Sequence, residues 1–177
     1  MRPVVGLDPS LTGTGIAHGR VATNTIRTKP CAEAIGPRVA RIRFIVATVL
    51  LVIESGALVM IEGPSFGSRE KAGQAHLRAG LWWSLVNDLA ASGCDLVEVP
   101  PKTLKKFATG SGNASKSDMR MALYKRGGID LADDNQVDAW WLREAGLHLL
   151  GDPDAVALPK SQLDALEGLR DQLPAGG

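Results

Sequence analysis

Two short apolar runs in this chain each end in a carboxylate followed by a small-residue turn. Val4-Val5-Gly6-Leu7 leads into Asp8 and then Pro9-Ser10-Leu11-Thr12-Gly13-Thr14-Gly15, and Leu58-Val59-Met60-Ile61 leads into Glu62-Gly63-Pro64. Apolar runs of this length bounded by Gly and Pro read as buried strands. An unpaired carboxylate is costly to bury, so such groups are normally paired, hydrogen-bonded or coordinated to metal. A third acidic cluster, Asp133-Asp134-Asn135-Gln136-Val137-Asp138, opens a helical pattern late in the chain. Three carboxylate positions so far apart in sequence point to one divalent-metal site assembled by folding.

The rest of the chain supplies a sheet and its cover. Arg2–Leu7, Gly15–Gly19 and Val21–Ile26 read as an antiparallel meander with a turn near Gly19-Arg20. Ala34–Ser55 reads as a helix stopped by Gly56, and 57–61 as a fourth strand. Gly67–Ala91 is a second helix with Gly93 just beyond it, and Asp95–Val99 a fifth strand halted by Pro100-Pro101. A basic turn at Thr103–Lys106 and the flexible Thr109–Ala114 loop precede a helix over Lys116–Lys125, capped by Ser115 or Ser117. Asn135–Leu150 is a further helix, and Ser161–Gln172 a short amphipathic one before a frayed tail at Pro174–Gly177. The pattern predicts an α/β fold, a five-stranded mixed sheet flanked by helices.

At 177 residues, 45% hydrophobic and 22% charged, the chain suits one ordinary globular domain. Cys31 and Cys94 form no ligand pattern and read as free thiols in a reducing compartment. No secretory signal is expected, and the longest apolar run, 44–53, is too short to span a bilayer, so a cytoplasmic protein without membrane contact is expected. Net charge is only +1, yet Lys102–Arg126 holds seven basic residues (Lys102, Lys105, Lys106, Lys116, Arg120, Lys125, Arg126) against Asp118 alone. A local basic patch near an acidic site fits phosphate contact.

An oxygen-rich, histidine-poor donor set favours magnesium or manganese over zinc, and His18, His76 and His148 form no close-spaced ligand motif. Two such ions about 3.5–4 Å apart can make a water nucleophilic and neutralise a phosphodiester. Asp134 and Asp138 are four apart on one helical face, and Asn135 and Asp138 three apart. Asp133 or Asp134 equally suits a helix N-cap.

In this order and spacing, GLDPSLTGTGIA, VMIEGPSFGS, VEVPPKTLKKFATGSGNASK and DDNQVDAWWL resemble the RuvC-type Holliday junction resolvases of the RNase H-like nuclease superfamily, over roughly residues 2–150. The resemblance implies an RNase H-like nuclease domain over 1–151, a C-terminal extension over 152–177, and a homodimer that cuts branched DNA with paired symmetric nicks. It implies that Asp8, Glu62 and Asp138 bind metal. The family's fourth ligand falls at Asn135, with Asp134 one residue earlier, so either supplies that position or three carboxylates suffice. Lys105 and Lys116 match the family's catalytic-region lysines. Phe66, one residue out of register, matches an aromatic that stacks on a junction base, and Lys102, Lys106 and Arg120 extend the DNA-binding set. The apolar surface of the second helix, Leu77, Leu81, Trp82, Trp83 and Leu85, matches the family's dimer interface. The short chain fits a phage-encoded form in its host's cytoplasm.

Three other readings stand beside this one. The Asn135 departure allows a junction-binding protein that does not cleave. An RNase H-like nuclease acting on RNA-containing substrates shares the same chemistry. The DPSLTGTG segment also resembles the phosphate loop of actin-like nucleotide-binding proteins, but no second matching loop follows, so no nucleotide cofactor is expected.

Overall fold

The computed structural model of the chain describes residues 2–64 and 72–173. Strands β1 (Val4–Asp8), β2 (Gly13–Ala17) and β3 (Thr23–Arg27) form the antiparallel meander. Helix α1 (Ile35–Val52) leads to β4 (Leu58–Glu62), which pairs parallel with β1. Helix α2 (Ala72–Ala91) leads to β5 (Asp95–Val99), parallel to β4, and the sheet order is β3-β2-β1-β4-β5. This is the expected five-stranded mixed sheet. Observed β2 begins two residues before its predicted start, because Gly13 and Thr14 pair with Arg27 and Ile26 of β3.

Side chains alternate across the strands, so each strand serves two cores. Val5 and Leu7, with Val59 and Ile61, face α1 and α2 and pack on Ile45, Val49, Leu81 and Leu85. Val4, Leu58 and Met60 face the opposite way, onto the helices that follow β5. These are α3 (Pro101–Thr109), α4 (Lys116–Gly127) and α5 (Asp134–Leu150). On that side Phe107 of α3 and Trp140 and Trp141 of α5 are among the largest fully buried side chains.

The basic turn expected at 103–106 is instead part of helix α3. Pro101 fills its first turn, where a missing N–H costs nothing, and Gly110 closes it at φ 88°. The Pro-Pro pair therefore both stops a strand and starts a helix. Of the two candidate caps of α4, Ser115 is the one used: its hydroxyl accepts from the Asp118 N–H while the Asp118 carboxylate accepts from the Ser115 N–H. Helix α5 starts one residue earlier than expected, capped by Asp133, whose carboxylate accepts from the Asn135 N–H at 2.9 Å.

The C-terminal segment belongs to the same body. A turn of helix α6 (Lys160–Leu163) and a 3-10 helix over Asp164–Gln172 replace the single predicted helix. Leu166 and Leu169 enter the core beneath α3 and α5. The Gln172 amide accepts from the Glu98 N–H at 2.8 Å and donates to the Glu98 carbonyl at 3.2 Å. That pair occupies the otherwise open edge of β5, where an unpaired strand would invite association.

Candidate active site

The parallel register of β1 and β4 decides where the first two acids lie. Val4 pairs with Leu58 and Gly6 with Met60, so two residues further on Asp8 comes level with Glu62. Leu58 and Met60 face α5, and period-two alternation places Glu62 and Asp8 on that same face. The sequence alone does not contain this register.

Helix α5 brings the third acid, and glycines let it approach. A Cβ on Gly6 would lie 1.9 Å from the Ala139 carbonyl oxygen, and one on Gly15 would lie 2.0 Å from that of Asn135. The helix backbone thus rests directly on β1 and β2, with Asp138 between those two contacts. Sequence inspection placed Gly6 inside a strand and Gly15 where a small-residue turn meets the next strand. Their role as a floor for α5 becomes visible only when the helix is docked.

The cluster is electrostatically strained. Asp8 is 7% exposed, and burial followed by the Glu62 charge holds its pKa well above the usual carboxylate range. Burial and then the Asp138 charge push Glu62 from 4.5 to about 7, while its hydrogen bond with Asp8 and the Lys105 charge oppose the rise. Burial raises Asp138 from 3.8 to about 6 against the opposing charge of Lys116. Glu62 is also fixed through its backbone, where Trp82 Nε1 donates to its carbonyl at 2.9 Å.

The acidic segment before α5 divides its duties. Asp133 serves the fold: although burial opposes ionisation, hydrogen bonds from Thr25 and Asn135, with the Arg27 charge, hold its pKa low. The Asn135 side-chain amide donates to Asp133 at 2.9 Å, which ties that residue to the cap. Asp134 accepts from Lys116 Nζ at 2.8 Å. That hydrogen bond, followed by the charges of Asp134, Asp138 and Asp8, raises the Lys116 pKa. Lys105 of α3 is near enough to act on both Glu62 and Asp138. The structure therefore gathers Asp8, Glu62, Asp138, Asp134, Lys105 and Lys116 in one place. By contrast, buried Glu144 is structural, accepting from Arg143 at 3.1 Å and from the Val156 N–H at 3.0 Å.

The donor set fits a hard divalent cation: oxygen ligands only, an excess of negative charge, and partial burial. Among the described residues no three or more His, Cys, Asp or Glu side chains stand in positions that could hold a metal ion as they are. Asp8 and Glu62 hydrogen-bond each other instead, as two carboxyl groups sharing a proton do. Binding an ion there requires that proton to leave and the side chains to turn toward the ion.

The remaining predicted residues fare unevenly. Lys102 and Lys106 are exposed on α3, while Arg120 is held by Asp130 through Nε at 2.9 Å and Nη2 at 2.7 Å. Phe66 lies outside the described residues. Of the residues expected at a dimer interface, Leu81, Trp82 and Leu85 are buried within the protomer's own core, since the sheet and α1 consume that face of α2. Leu77 is half-buried, and Trp83 stays 59% exposed.

No protein-family model matches the chain, and no curated protein matches it in sequence. Solved structures do resemble it. The Thermus thermophilus RuvC structure superposes with a TM-score of 0.61 at 20% identity, covering 87% of this chain and 98% of that one. T. thermophilus RuvC in complex with Holliday junction substrate gives a TM-score of 0.63 at 19% identity, covering 85% and 97%. The likeness is one of fold: the chain has a RuvC-like, RNase H-like architecture over most of its length. Among the described residues no helix is long and apolar enough to cross a membrane.

Proposed function

We propose that the chain is a structure-specific endonuclease that resolves Holliday junctions and related branched DNA by metal-dependent phosphodiester hydrolysis. One observation carries this reading: Asp8, Glu62 and Asp138, from β1, β4 and α5, meet at one sheet end, where burial raises the pKa of all three. Magnesium or manganese, as a pair of ions, would supply a nucleophilic water and neutralise charge on the phosphate. Asp8, Glu62 and Asp138 would hold the ions through carboxylate oxygens, and Asp134 keeps Lys116 beside the cluster. The Lys105 and Lys116 ammonium groups attract the scissile phosphate and offset charge that develops on it.

The test is labelled four-way junction against linear duplex, with and without magnesium. Wild type is expected to nick the junction in symmetric pairs and to spare the duplex. Asp8→Asn is expected to keep junction binding and lose cutting. Junction binding in EDTA without nicking after magnesium is added would favour the non-cleaving binder, a reading supported by Asn135 being tied to Asp133. Lys116→Ala is expected to slow single-turnover cleavage at saturating enzyme by about 10- to 100-fold. An unchanged rate would remove the charge-stabilising role.

A four-way junction presents two symmetry-related strands, which suits a twofold dimer. Among the described residues, the apolar side chains that α1 and α2 leave exposed for a second copy include Trp83, Phe44 and Leu51. Sedimentation at micromolar concentration is expected to show a dimer, and Trp83→Asp a shift toward monomer. A monomeric wild type defeats the dimer.

A further inference from the structure

A cleft of about 330 Å³ with a mixed polar and apolar lining opens beside the turn that follows Asp8. It is lined by Ser10 and Thr12 of that turn, Arg38 and Arg41 of α1, Arg78 of α2, and one acidic residue, Glu33. Arg38 and Arg41 are three apart on one helix and share a face. Arg41 is fixed in place: its Nε donates to Thr28 Oγ1 at 2.7 Å and its Nη2 to the Leu11 carbonyl. The turn is equally well made, because the buried Thr14 hydroxyl donates to the Ser10 carbonyl at 2.8 Å and accepts from the Ser10 N–H at 3.2 Å.

The position of this cleft gives it meaning. Helices α1 and α2 cover one face of the sheet, while α3, α4 and α5 cover the other. Lys105 and Lys116 therefore approach the carboxylates from one side, and the arginine cleft flanks the Asp8 turn on the other. An acidic centre with a basic bank on each side suits a polyanion that crosses it, with consecutive phosphates falling on either side. Arginine presents a planar fork matched to phosphate oxygens, and the Ser10 and Thr12 hydroxyls add donors.

We propose that this cleft seats a backbone phosphate of the strand that runs through the carboxylate cluster, on the opposite side of the scissile position from Lys105 and Lys116. The inference rests on the endonuclease reading and adds to it a second anchoring point for the strand.

Junction binding in EDTA, measured between 50 and 200 mM salt, tests it with wild type, Arg38→Glu, Arg38→Gln and Arg38→Lys. Arg38 stands on α1, across the sheet from the helices that carry Lys105 and Lys116, so the variants leave the cluster intact. Arg38→Glu is expected to weaken binding about tenfold and Arg38→Gln less, with the slope of log affinity against log salt shallower by about one. Arg38→Lys should restore most of the affinity, and all variants should melt as wild type does. Folded Arg38→Glu and Arg38→Gln with wild-type affinity and slope overturn the proposal while leaving the endonuclease reading intact. Sodium phosphate is the control probe. If it raises the wild-type melting temperature but not that of Arg38→Gln, and junction affinity is unaffected, the cleft takes a free anion and the proposal fails. A wild type that binds no nucleic acid in any form removes the endonuclease reading and this inference together.

Discussion

Glu62→Gln is expected to stabilise the metal-free protein at pH 8 and to abolish magnesium-dependent cleavage. Glu62 has its pKa raised from 4.5 to about 7, and Asp138 from 3.8 to about 6, burial being the first cause in both. The folded state therefore holds protons that the unfolded chain has already released. Stability then falls as pH rises through 4.5 to 7 for Glu62 and through 3.8 to 6 for Asp138. A neutral amide removes the Glu62 part of that loss, on the order of 3 kcal/mol, or about 6–12 °C in melting temperature for a chain of this size. At pH 4.5 wild type and variant should melt together. Saturating magnesium should reverse the order at pH 8, stabilising wild type and leaving the variant unmoved, with cleavage reduced by about 100-fold or more. Thermal melts over this pH range with and without magnesium decide the matter. A variant less stable than wild type at pH 8 without metal would show that the carboxyl cluster is not strained.

Gly6→Ala is expected to lower stability by about 3 kcal/mol or more, roughly 6–12 °C in melting temperature. The added methyl would stand 1.9 Å from the Ala139 carbonyl oxygen and 2.6 Å from the Arg143 nitrogen, both of them backbone atoms unable to swing aside. Relief comes only by lifting α5 from β1, which also carries Asp138 away from Asp8. Cleavage should therefore fall even below the melting transition, where the variant is still folded. Gly80→Ala, inside α2, is the control: beyond its own helix its would-be Cβ meets only Ile42 Cδ1, at an ordinary 3.8 Å, and alanine favours a helix interior by about 0.8–1.0 kcal/mol. If the two variants melt alike, α5 does not rest on the sheet as described.

The strands and their terminal acids were readable because burial on both faces leaves an unbroken apolar run, and a charge at its end is then conspicuous. Helix α3 was misread because Pro100-Pro101 carries two signals, a strand stop and a helix start, and local composition does not rank them. The acidic segment before α5 was harder still. Asp133, Asp134 and Asn135 are chemically similar and adjacent, and their roles separate only through partners distant in sequence: Thr25 and Arg27 for Asp133, Lys116 for Asp134. The apolar surface of α2 pointed to an interface, yet Leu81, Trp82 and Leu85 serve the protomer's own core, because hydrophobicity does not reveal which surface will cover it.

The sequence by itself determined which residues could carry the chemistry and, α3 excepted, which segments would be strand or helix, since both follow from residue type and local period. Tertiary structure alone decided that Asp8 and Glu62 stand level across two parallel strands, that glycines admit α5 close enough to deliver Asp138, and that arginines of α1 and α2 gather beside the Asp8 turn. Those facts depend on register and on helix-to-sheet distance. Both are set by packing between segments tens of residues apart, which no local pattern encodes.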